Sequence, residues 1–335
     1  MPYNCLLEIN KIDFSEKRVL IIGAGWMADQ FCNALTQMKI KNVFVVSRTK
    51  ESSALLCDKY RYQPYSGGYQ EWLPKLGQFD LVIISTPIHE LKSAAQCSLK
   101  NGATNILIEK PGSLYSTELC DWLNEIDEKS VRLRIAYNRL AYPNFHKLRE
   151  HIESDGGITS CRYTFTELIN SINFKNNLPA TYQRWGISNS LHVISMAHEL
   201  IGFPREFYPI QQGKIEWHPS GARFVGSGIT QLNIPFSYHA DWGSAGRWGI
   251  EIMTPKYAYR LMPLEKLYHC KKGSFTWELI ETKMAYPNVK QGVAEEIAIM
   301  LKPELEQHCR FVDLRQAYDY NKLAENIFGY SNKRT

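Results

Sequence analysis

The chain has 335 residues, which indicates two domains at about 100–200 residues per domain. Hydrophobic residues make up 44% and charged residues 22%, and an aromatic fraction of 12% excludes a largely disordered protein. The 39 Lys and Arg residues outnumber the 34 Asp and Glu residues only slightly and form no long basic run, so the composition requires no nucleic-acid partner.

No apolar stretch is long enough for a membrane helix, and the first residues show no signal-peptide pattern, so we expect a cytoplasmic protein without a membrane partner. The eight cysteines are scattered without a CxxC pair, which favours reduced thiols over a zinc or dithiol site. The nine histidines do not pair at helical spacing beside a carboxylate cluster, and no metal site is expected.

The first 140 residues alternate short apolar runs with helix-compatible segments. The predicted strands are 18–22, 42–46, 80–84, 105–108 and 131–136, and the first predicted helix is 28–38. Runs rich in Val, Ile and Leu are typical of strands buried on both faces of a parallel sheet. Repeated β-α units therefore predict a doubly wound α/β domain of the Rossmann type over residues 1–140.

The pattern changes after Pro143. A helix is predicted over 144–153, and a second over 188–201 interrupts a series of strand-like segments with alternating polarity, at 159–168, 214–219, 222–234, 237–242, 247–254 and 257–263. Alternation of this kind predicts an α+β domain on a largely antiparallel open sheet over residues 141–335. The last predicted helix, 314–328, is free to pack on either domain.

A glycine turn, Gly23-Ala24-Gly25-Trp26-Met27-Ala28, matches G-x-G-x-x-A between the first predicted strand and helix. The first glycine permits a tight turn, the second lets the backbone approach a pyrophosphate, and the small third position allows close packing. The helix N-terminus offers N–H groups and partial positive charge to phosphates. We therefore predict a dinucleotide site at Gly23, Gly25, Trp26 and Met27, rather than a turn that binds nothing.

The second predicted strand ends in Ser47-Arg48-Thr49-Lys50, without the acid that usually binds the ribose of NAD. An arginine between two hydroxyl side chains suits a 2′-phosphate, which a guanidinium binds through two hydrogen bonds. Ser47, Arg48 and Thr49 therefore favour NADP(H) over NAD(H). The alternative is a solvated surface turn, and some NAD enzymes also lack the acid.

In the glycine turn and the strand pattern around it, the chain resembles the Gfo/Idh/MocA oxidoreductases, the family of glucose–fructose oxidoreductase and inositol dehydrogenase. Four further landmarks occur in order, Ser85-Thr86-Pro87, Glu109-Lys110-Pro111, Tyr137-Asn138-Arg139 and, in place of the family's Asp-x-x-x-His, Ser188-Asn189-Ser190-Leu191-His192. The resemblance implies a Rossmann domain followed by a domain with an open antiparallel sheet. It also implies sugar or cyclitol substrates, and dimers or tetramers formed through that sheet.

The resemblance implies that Lys110 and His192 form the acid/base pair, with Lys110 beside the nicotinamide and His192 shuttling the hydroxyl proton. The cofactor contacts that it implies are Ser85, Thr86, Pro87, His89, Glu109, Lys110 and Asn138. Pro111 is a candidate for a cis peptide bond. The alternative for Lys110 is a solvent-facing lysine at a strand end. The alternative for His192 is a core histidine that is hydrogen-bonded to a backbone group.

Two departures from the family pattern bear on this reading. Ser188 stands where the family has an aspartate, and Leu91 stands where Thr-Pro-x-x-x-His ends, although His89 lies in the same turn. Without the carboxylate, Ser188 or Asn189 would hold His192 through a neutral hydrogen bond, and the imidazole would be less basic. The departures leave open a non-catalytic member of the family, and they also fit a subgroup with its own substrate.

The substrate-binding candidates are Tyr137, Arg139, Arg184, Trp185 and Asn189. Arg184 beside Trp185 suits an anionic sugar or the phosphate of a nucleotide sugar. The alternative is an ordinary packed pair with the arginine stem buried along it. Further aromatic residues with the chemistry to stack on a sugar are Tyr182, Trp242 and Trp248.

The sequence thus predicts an NADP(H)-dependent oxidoreductase that transfers hydride between nicotinamide and a hydroxyl or keto group of a sugar, sugar derivative or nucleotide sugar. A homodimer or homotetramer is expected from the resemblance. Two alternatives stay open. One is an NADP-sensing regulatory or binding protein without catalysis, which Ser188 motivates, and the other is an NAD-dependent sugar dehydrogenase that recycles its cofactor, against which Arg48 argues.

Overall fold

The computed structural model describes residues 4–126, 130–175, 177–309 and 311–331. These residues form two compact units. The first consists of the segments Met1–Ser113, Thr117–Pro143 and Lys283–Ala317, and the second of Leu114–Ser116, Asn144–Thr282 and Tyr318–Thr335.

The first unit is built on a parallel sheet of six strands. They are β1 (Arg18–Ile22), β2 (Asn42–Ser47), β3 (Gln63–Ser66), β4 (Leu81–Ile84), β5 (Asn105–Glu109) and β6 (Arg132–Ala136). All neighbours pair in parallel in the order β3-β2-β1-β4-β5-β6. Every residue of β4 is buried, as expected of a central strand covered on both faces. The predicted Rossmann-type sheet is confirmed.

Helices connect these strands. In chain order the chain forms α1 (Asn4–Leu7), α2 (Trp26–Gln37), α3 (Lys50–Tyr60), α4 (Tyr69–Leu76), α5 (Leu91–Lys100) and α6 (Ser116–Glu125). The buried face of α2 includes Phe31 and Leu35, which join Val19 and Ile21 of β1 in one hydrophobic core. The helix thereby holds its N-terminus at the carboxyl end of β1.

The second unit is built on a mixed sheet of eight strands. They are β7 (Ser160–Phe165), β8 (Pro204–Gln212), β9 (Arg223–Thr230), β10 (Pro235–Asp241), β11 (Trp248–Met253), β12 (Tyr257–Leu261), β13 (Leu267–Lys271) and β14 (Glu278–Ile280). Their order is β14-β13-β12-β11-β7-β10-β9-β8, and only β7 and β10 pair in parallel. Along β10, buried Phe236, Tyr238 and Ala240 alternate with exposed residues, so one face of the sheet is covered, as predicted.

The remaining helices are α7 (Pro143–Asp155), α8 (Pro179–Gln183), α9 (Leu191–Ile201), α10 (Val293–Leu301) and α11 (Leu314–Phe328). A π-helical turn, Gly186–Ser190, directly precedes α9. The last helix has the predicted bounds, whereas α10 was missed.

The compact units differ from the two continuous ranges expected from the sequence, because the segment Lys283–Ala317 belongs to the first unit. Every residue of α10 is buried, and Val293, Ile297 and Met300 share the core of α2 and β1. Arg132 of β6 also donates to the backbone carbonyl of Met300 at 2.9 Å. Burial of an apolar helix from a distant part of the chain completes this core.

One strand prediction was wrong. The segment 214–219 forms no strand, because Ile215 and His218 bond to each other across a tight turn, N to O at 3.3 and 2.9 Å. The strand β8 was missed. It contains Pro204 and Pro209, which argue against a central strand but are tolerated at the sheet edge, where β8 lies.

Candidate functional site

The glycine turn lies between β1 and α2. Gly23 has φ = 114°, a conformation that favours glycine, and its N–H donates to the Val46 carbonyl at 2.8 Å. A Cβ at this position would collide with the carbonyl oxygen of Ser85. The turn is therefore held between the carboxyl ends of β2 and β4, and only glycine fits there.

Gly25 is the N-cap of α2, and no side chain caps the helix there. A Cβ built on Gly25 would meet no atom of the described residues within 4 Å. The first turn of α2 therefore has no side-chain cap and the space beside Gly25 is open, an arrangement that can accommodate a phosphate. Trp26 is 64% exposed in the first turn, with Lys290 Nζ 5.1 Å from its ring centroid, and Met27 packs partly against the core.

At the end of β2, two of the three predicted cofactor residues have structural contacts. The Ser47 hydroxyl donates to the Thr49 carbonyl at 2.6 Å. Thr49 is the N-cap of α3, and its hydroxyl accepts from the Ser52 N–H at 3.4 Å. Arg48 is exposed, and within the described ranges its guanidinium has no hydrogen bond or ion pair. Arg48 therefore presents an exposed guanidinium at the end of β2.

Residues after β4 continue this edge. The Ser85 N–H donates to the Ile22 carbonyl at 2.8 Å, which extends the parallel pairing. The Thr86 hydroxyl is shielded from solvent and has no hydrogen-bond partner among the residues that the structure describes. Pro87 and His89 are exposed, and His89 Nε2 lies 4.0 Å from Glu90 Oε1. A buried hydroxyl without a partner fits a bound cofactor that completes its hydrogen bond.

Glu109 ends β5 near a buried acidic residue of α10, Lys110 follows it directly, and the Lys110–Pro111 peptide bond is cis. Burial raises the pKa of Glu109 to about 7, although the nearby charges of Lys110 and Lys290 lower it. Glu296 is fully buried, and burial together with the charge of Glu109 raises its pKa well above the ordinary value. The sequence interpretation missed Glu296, because it lies far along the chain on a helix that was not predicted.

After β6, three predicted site residues are packed within the first unit. Tyr137 is buried, and burial raises the pKa of its hydroxyl. The Asn138 amide donates to the Gln291 carbonyl at 3.0 Å, which ties β6 to the segment before α10. Arg139 is half-buried, with its guanidinium carbon 5.5 Å from the ring centroid of Tyr142. The Asn138 amide is therefore engaged with the backbone of the first unit, and Tyr137 is enclosed within that unit.

In the second unit, the π-helical turn and the first turn of α9 carry the sequence from Ser188 to His192. The Ser188 hydroxyl donates to the carbonyls of Thr181 and Trp185, both at 3.3 Å. The Asn189 amide nitrogen donates to Glu167 at 2.7 Å. His192 is half-buried, and its ring centroid lies 6.0 Å from that of Trp248.

Arg184 is held inside the second unit. It is 6% exposed, and its guanidinium donates to the carbonyls of Leu114 and Ser331 and to the Glu325 carboxylate, each at 2.8 Å. Its guanidinium carbon also lies 4.4 Å from the ring centroid of Tyr115. Since every face of the group has a protein contact, we replace the substrate-binding interpretation of Arg184 by a structural one.

A cavity of about 250 Å³ lies within the second unit. Two of the expected residues, Trp185 and Asn189, line it together with Trp248, and so do Glu167 and Arg247. Glu167 and Arg247 were missed. The strand predicted over 159–168 ends at Phe165, so Glu167 lies just beyond β7. An acidic residue directly after a strand would have been a signal for a site. The prediction missed it because it placed Glu167 within the strand.

The other aromatic candidates are structural. Trp242 is 1% exposed and packs against Trp217 at a centroid distance of 6.1 Å. Tyr182 is buried, and its hydroxyl donates to the Asn173 carbonyl at 2.8 Å. Of the aromatic residues considered, Trp185 and Trp248 are therefore the ones that face the cavity.

The described residues contain neither a candidate metal site nor a candidate membrane-spanning helix. In the described ranges, no three His, Cys, Asp or Glu side chains are arranged to hold a metal ion. Among the helices in those ranges, none combines the length and hydropathy needed to cross a bilayer.

Sequence comparison finds relatives over part of the chain. A family model described as shikimate / quinate 5-dehydrogenase matches residues 6–101. Glutamyl-tRNA reductase of Sulfurihydrogenibium sp. (strain YO3AOP1) is 37% identical over 97 residues, which cover 27% of this chain and 20% of that protein. Shikimate dehydrogenase (NADP(+)) of Xanthomonas campestris pv. campestris (strain B100) is 33% identical over 104 residues, 30% of this chain and 36% of that protein. The chain therefore spans about a fifth to a third of these relatives.

Structure comparison covers nearly the whole chain. UDP-N-acetylglucosamine 3-dehydrogenase GnnA from Acidithiobacillus ferrooxidans has a TM-score of 0.70 at 15% identity, covering 94% of this chain and 98% of that one. Levoglucosan dehydrogenase in complex with NADH and levoglucosan has a TM-score of 0.74 at 16% identity, with 94% and 96% covered. An oxidoreductase from Agrobacterium radiobacter in complex with NAD⁺, L-tartaric acid and magnesium has a TM-score of 0.73 at 12% identity, with 94% and 96% covered.

At these identities the likeness concerns the fold. The chain has the two-domain fold of the Gfo/Idh/MocA-type oxidoreductases, a Rossmann-like unit and a mostly antiparallel eight-stranded sheet. The fold expected from the sequence landmarks is confirmed.

Proposed function

We propose that the chain is an NADP(H)-dependent oxidoreductase acting on a hydroxyl or keto group of a sugar, sugar derivative or nucleotide sugar. The observation that carries the proposal is the uncapped N-terminus of α2 behind Gly25, at the carboxyl edge of the parallel sheet. The structures of similar fold that hold NADH or NAD⁺ support a nicotinamide cofactor. When bound, the cofactor supplies or accepts the hydride.

Three parts of the first unit would hold the cofactor. The N–H groups at the start of α2 would bind the pyrophosphate, since no side chain caps them and the space beside Gly25 is open. The Thr86 hydroxyl would donate a hydrogen bond to it, which removes the cost of a buried hydroxyl without a partner. Arg48 would bind the 2′-phosphate that distinguishes NADP from NAD.

Lys110 and His192 supply the proposed proton chemistry. Lys110 follows β5 at the ligand-binding edge of the sheet, and its ammonium group donates a proton to the substrate oxygen as negative charge develops there. His192 lies in the first turn of α9 beside Trp248, which lines the cavity. A histidine titrates near neutral pH, so it can take up or release the hydroxyl proton.

The second unit supplies the proposed substrate cavity. Trp185 and Trp248 offer apolar faces to a sugar ring, and Asn189, Glu167 and Arg247 offer hydrogen bonds to its polar groups. We extend the proposal to a homodimer or homotetramer, which light scattering after size-exclusion chromatography would show as a multiple of the chain mass.

The cofactor part of the proposal is tested by titrating the protein with NADPH and NADH and following nicotinamide fluorescence. Replacing Arg48→Ala removes charge-assisted hydrogen bonds, and we expect about 10–100-fold weaker NADPH binding with NADH binding unchanged. Lys50→Ala, an exposed cation two residues later, is the matched control. Tighter binding of NADH than NADPH by the wild-type protein would refute the role of Arg48 and favour the enzyme that recycles NAD.

The catalytic part is tested by oxidation of NADPH or reduction of NADP⁺ with UDP-N-acetylglucosamine, levoglucosan and L-sorbose as the first substrates. We expect Lys110→Ala to lose turnover while keeping NADPH affinity, because the lysine acts on the substrate oxygen. Turnover that survives in Lys110→Ala would contradict the mechanism. Tight NADPH binding without turnover of any sugar would favour a protein that senses NADP.

A further inference from the structure

A buried carboxylate joins the loop after β7 to the turn before α9. Glu167 is 6% exposed and lies two residues beyond the end of β7. Its carboxylate accepts from Asn189 Nδ2 at 2.7 Å and from Ser190 Oγ at 2.5 Å. Both donors belong to the π-helical turn Gly186–Ser190, which leads directly into α9 and His192.

The chemistry of this contact determines how Asn189 is oriented. An ionised carboxylate accepts hydrogen bonds and donates none, whereas an asparagine amide has a donor end and an acceptor end. In the structure the donor end of Asn189, Nδ2, faces Glu167 Oε2, and the acceptor end, Oδ1, points away from it. The same residue lines the cavity of the second unit.

We infer that Glu167 is a positioning residue, which holds Asn189 so that its Oδ1 accepts a hydrogen bond from a substrate hydroxyl in the cavity. The inference rests on the proposed function, since it names the ligand chemistry of that same cavity. Trp185 and Trp248 on the cavity wall suit the C–H face of a sugar ring, and an oriented acceptor suits one of its hydroxyl groups. A ligand with only acceptors at that position would leave Oδ1 without a partner, which costs affinity.

The orientation of Asn189 is testable without a ligand, by nitrogen–proton NMR of its side-chain amide. Asn189→Asp removes the resonance and thereby assigns it. In Glu167→Leu we expect the amide proton resonance to move upfield and to exchange faster with water, because its carboxylate acceptor is gone. Glu216→Leu, at an exposed glutamate of the same unit, is the matched control and should leave the resonance unchanged. An unaltered Asn189 amide in Glu167→Leu would overturn the inference.

The substrate role is measured with levoglucosan as the probe, by quenching of tryptophan fluorescence and by steady-state kinetics. We expect Glu167→Leu to raise KM and Kd about 2–10-fold, the worth of the neutral hydrogen bond between Asn189 Oδ1 and the substrate hydroxyl, with kcat falling less and NADPH affinity unchanged. Glu167→Gln should recover most of the affinity, because its Oε1 still accepts from Asn189 Nδ2. Equal losses in the Leu and Gln variants would refute positioning through that bond.

The two proposals fail in different ways. Absence of sugar turnover by the wild-type protein with either cofactor would refute the proposed function, whereas the NMR experiment still decides the orientation of Asn189. Normal turnover of the wild-type protein together with unchanged KM in Glu167→Leu would refute the role of Glu167 alone. A melting temperature of Glu167→Gln equal to that of the wild type confirms that its effect arises in the folded protein.

Discussion

The buried ion pair between Arg184 and Glu325 allows a test of whether this arginine has a structural or a substrate-binding role. The side chains are 7% and 2% exposed, and Arg184 Nη2 lies 2.8 Å from Glu325 Oε1. The same carboxylate accepts from the Ser116 N–H at 3.0 Å and from the Ser116 hydroxyl at 2.6 Å. Arg184→Met keeps most of the apolar stem and removes the charge, so Glu325 loses its counter-ion.

The expected loss is large because the carboxylate stays buried. Removing one partner of a buried ion pair costs about 3–5 kcal/mol, mainly the cost of the remaining unpaired charge. The two hydrogen bonds from Ser116 persist and place the loss at the lower end of that range. Arg184→Met combined with Glu325→Gln removes both charges while keeping an acceptor for Ser116, and we expect it to recover about half of the loss or more.

Urea unfolding followed by circular dichroism and tryptophan fluorescence measures both variants. The midpoint should fall in Arg184→Met with an unchanged slope, since the surface exposed on unfolding is the same. The KM for a sugar, measured below the unfolding temperature, should stay near the wild-type value. A stability loss below about 1 kcal/mol, typical of an exposed ion pair, or a double variant no more stable than the single one, would refute the reasoning.

Three further predictions concern single sites. Burial of Glu295, which is 3% exposed, raises the pKa of its carboxyl group from 4.5 to about 7. The free energy of unfolding therefore contains the full contribution of this group below pH 4.5, and it falls by about 3 kcal/mol as the pH rises from 4.5 through 7. Glu295→Gln should therefore gain stability relative to the wild type from pH 5 to pH 8 in urea unfolding, and exposed Glu304→Gln should not. Gly25→Ala should keep the wild-type melting temperature and weaken NADPH binding, whereas Gly23→Ala should lower the melting temperature because of its positive φ and the Ser85 contact. Trp248→Ala should raise the KM for levoglucosan about 5–10-fold, the worth of an aromatic contact, without changing NADPH affinity.

The Rossmann-type sheet was predictable because its signals are local. The strand Arg18–Ile22 has the predicted bounds, and the glycine turn that follows it adopts the positive φ that its first glycine allows. The absence of an acid at the end of β2, from which the role of Arg48 is proposed, is also a local property. Short-range periodicity and turn chemistry act within a few residues, so one sequence suffices to read them.

The contacts of the site residues depended on partners distant in the chain. Arg184 pairs with Glu325, 141 residues away, and that pairing changes its interpretation from substrate binding to structure. The charge of Lys110 lowers the pKa of Glu109, and the charge of Glu109 in turn raises the pKa of Glu296 on the distant helix α10. The electrostatic surroundings of Lys110 therefore include a residue far along the chain. Neither partner carries a signal in the neighbouring sequence.

By itself, the sequence determined the alternation of strands and helices, the tight glycine turn after β1 and the absence of an acid at the end of β2. The tertiary structure alone decided that α10 completes the first core, that Arg184 is buried against Glu325 and that Glu167 accepts a hydrogen bond from Asn189 at the cavity. The physical reason is the range of the interactions. Backbone preferences act between neighbours, whereas burial, ion pairing and the pKa of a buried group depend on whichever residues folding brings into contact.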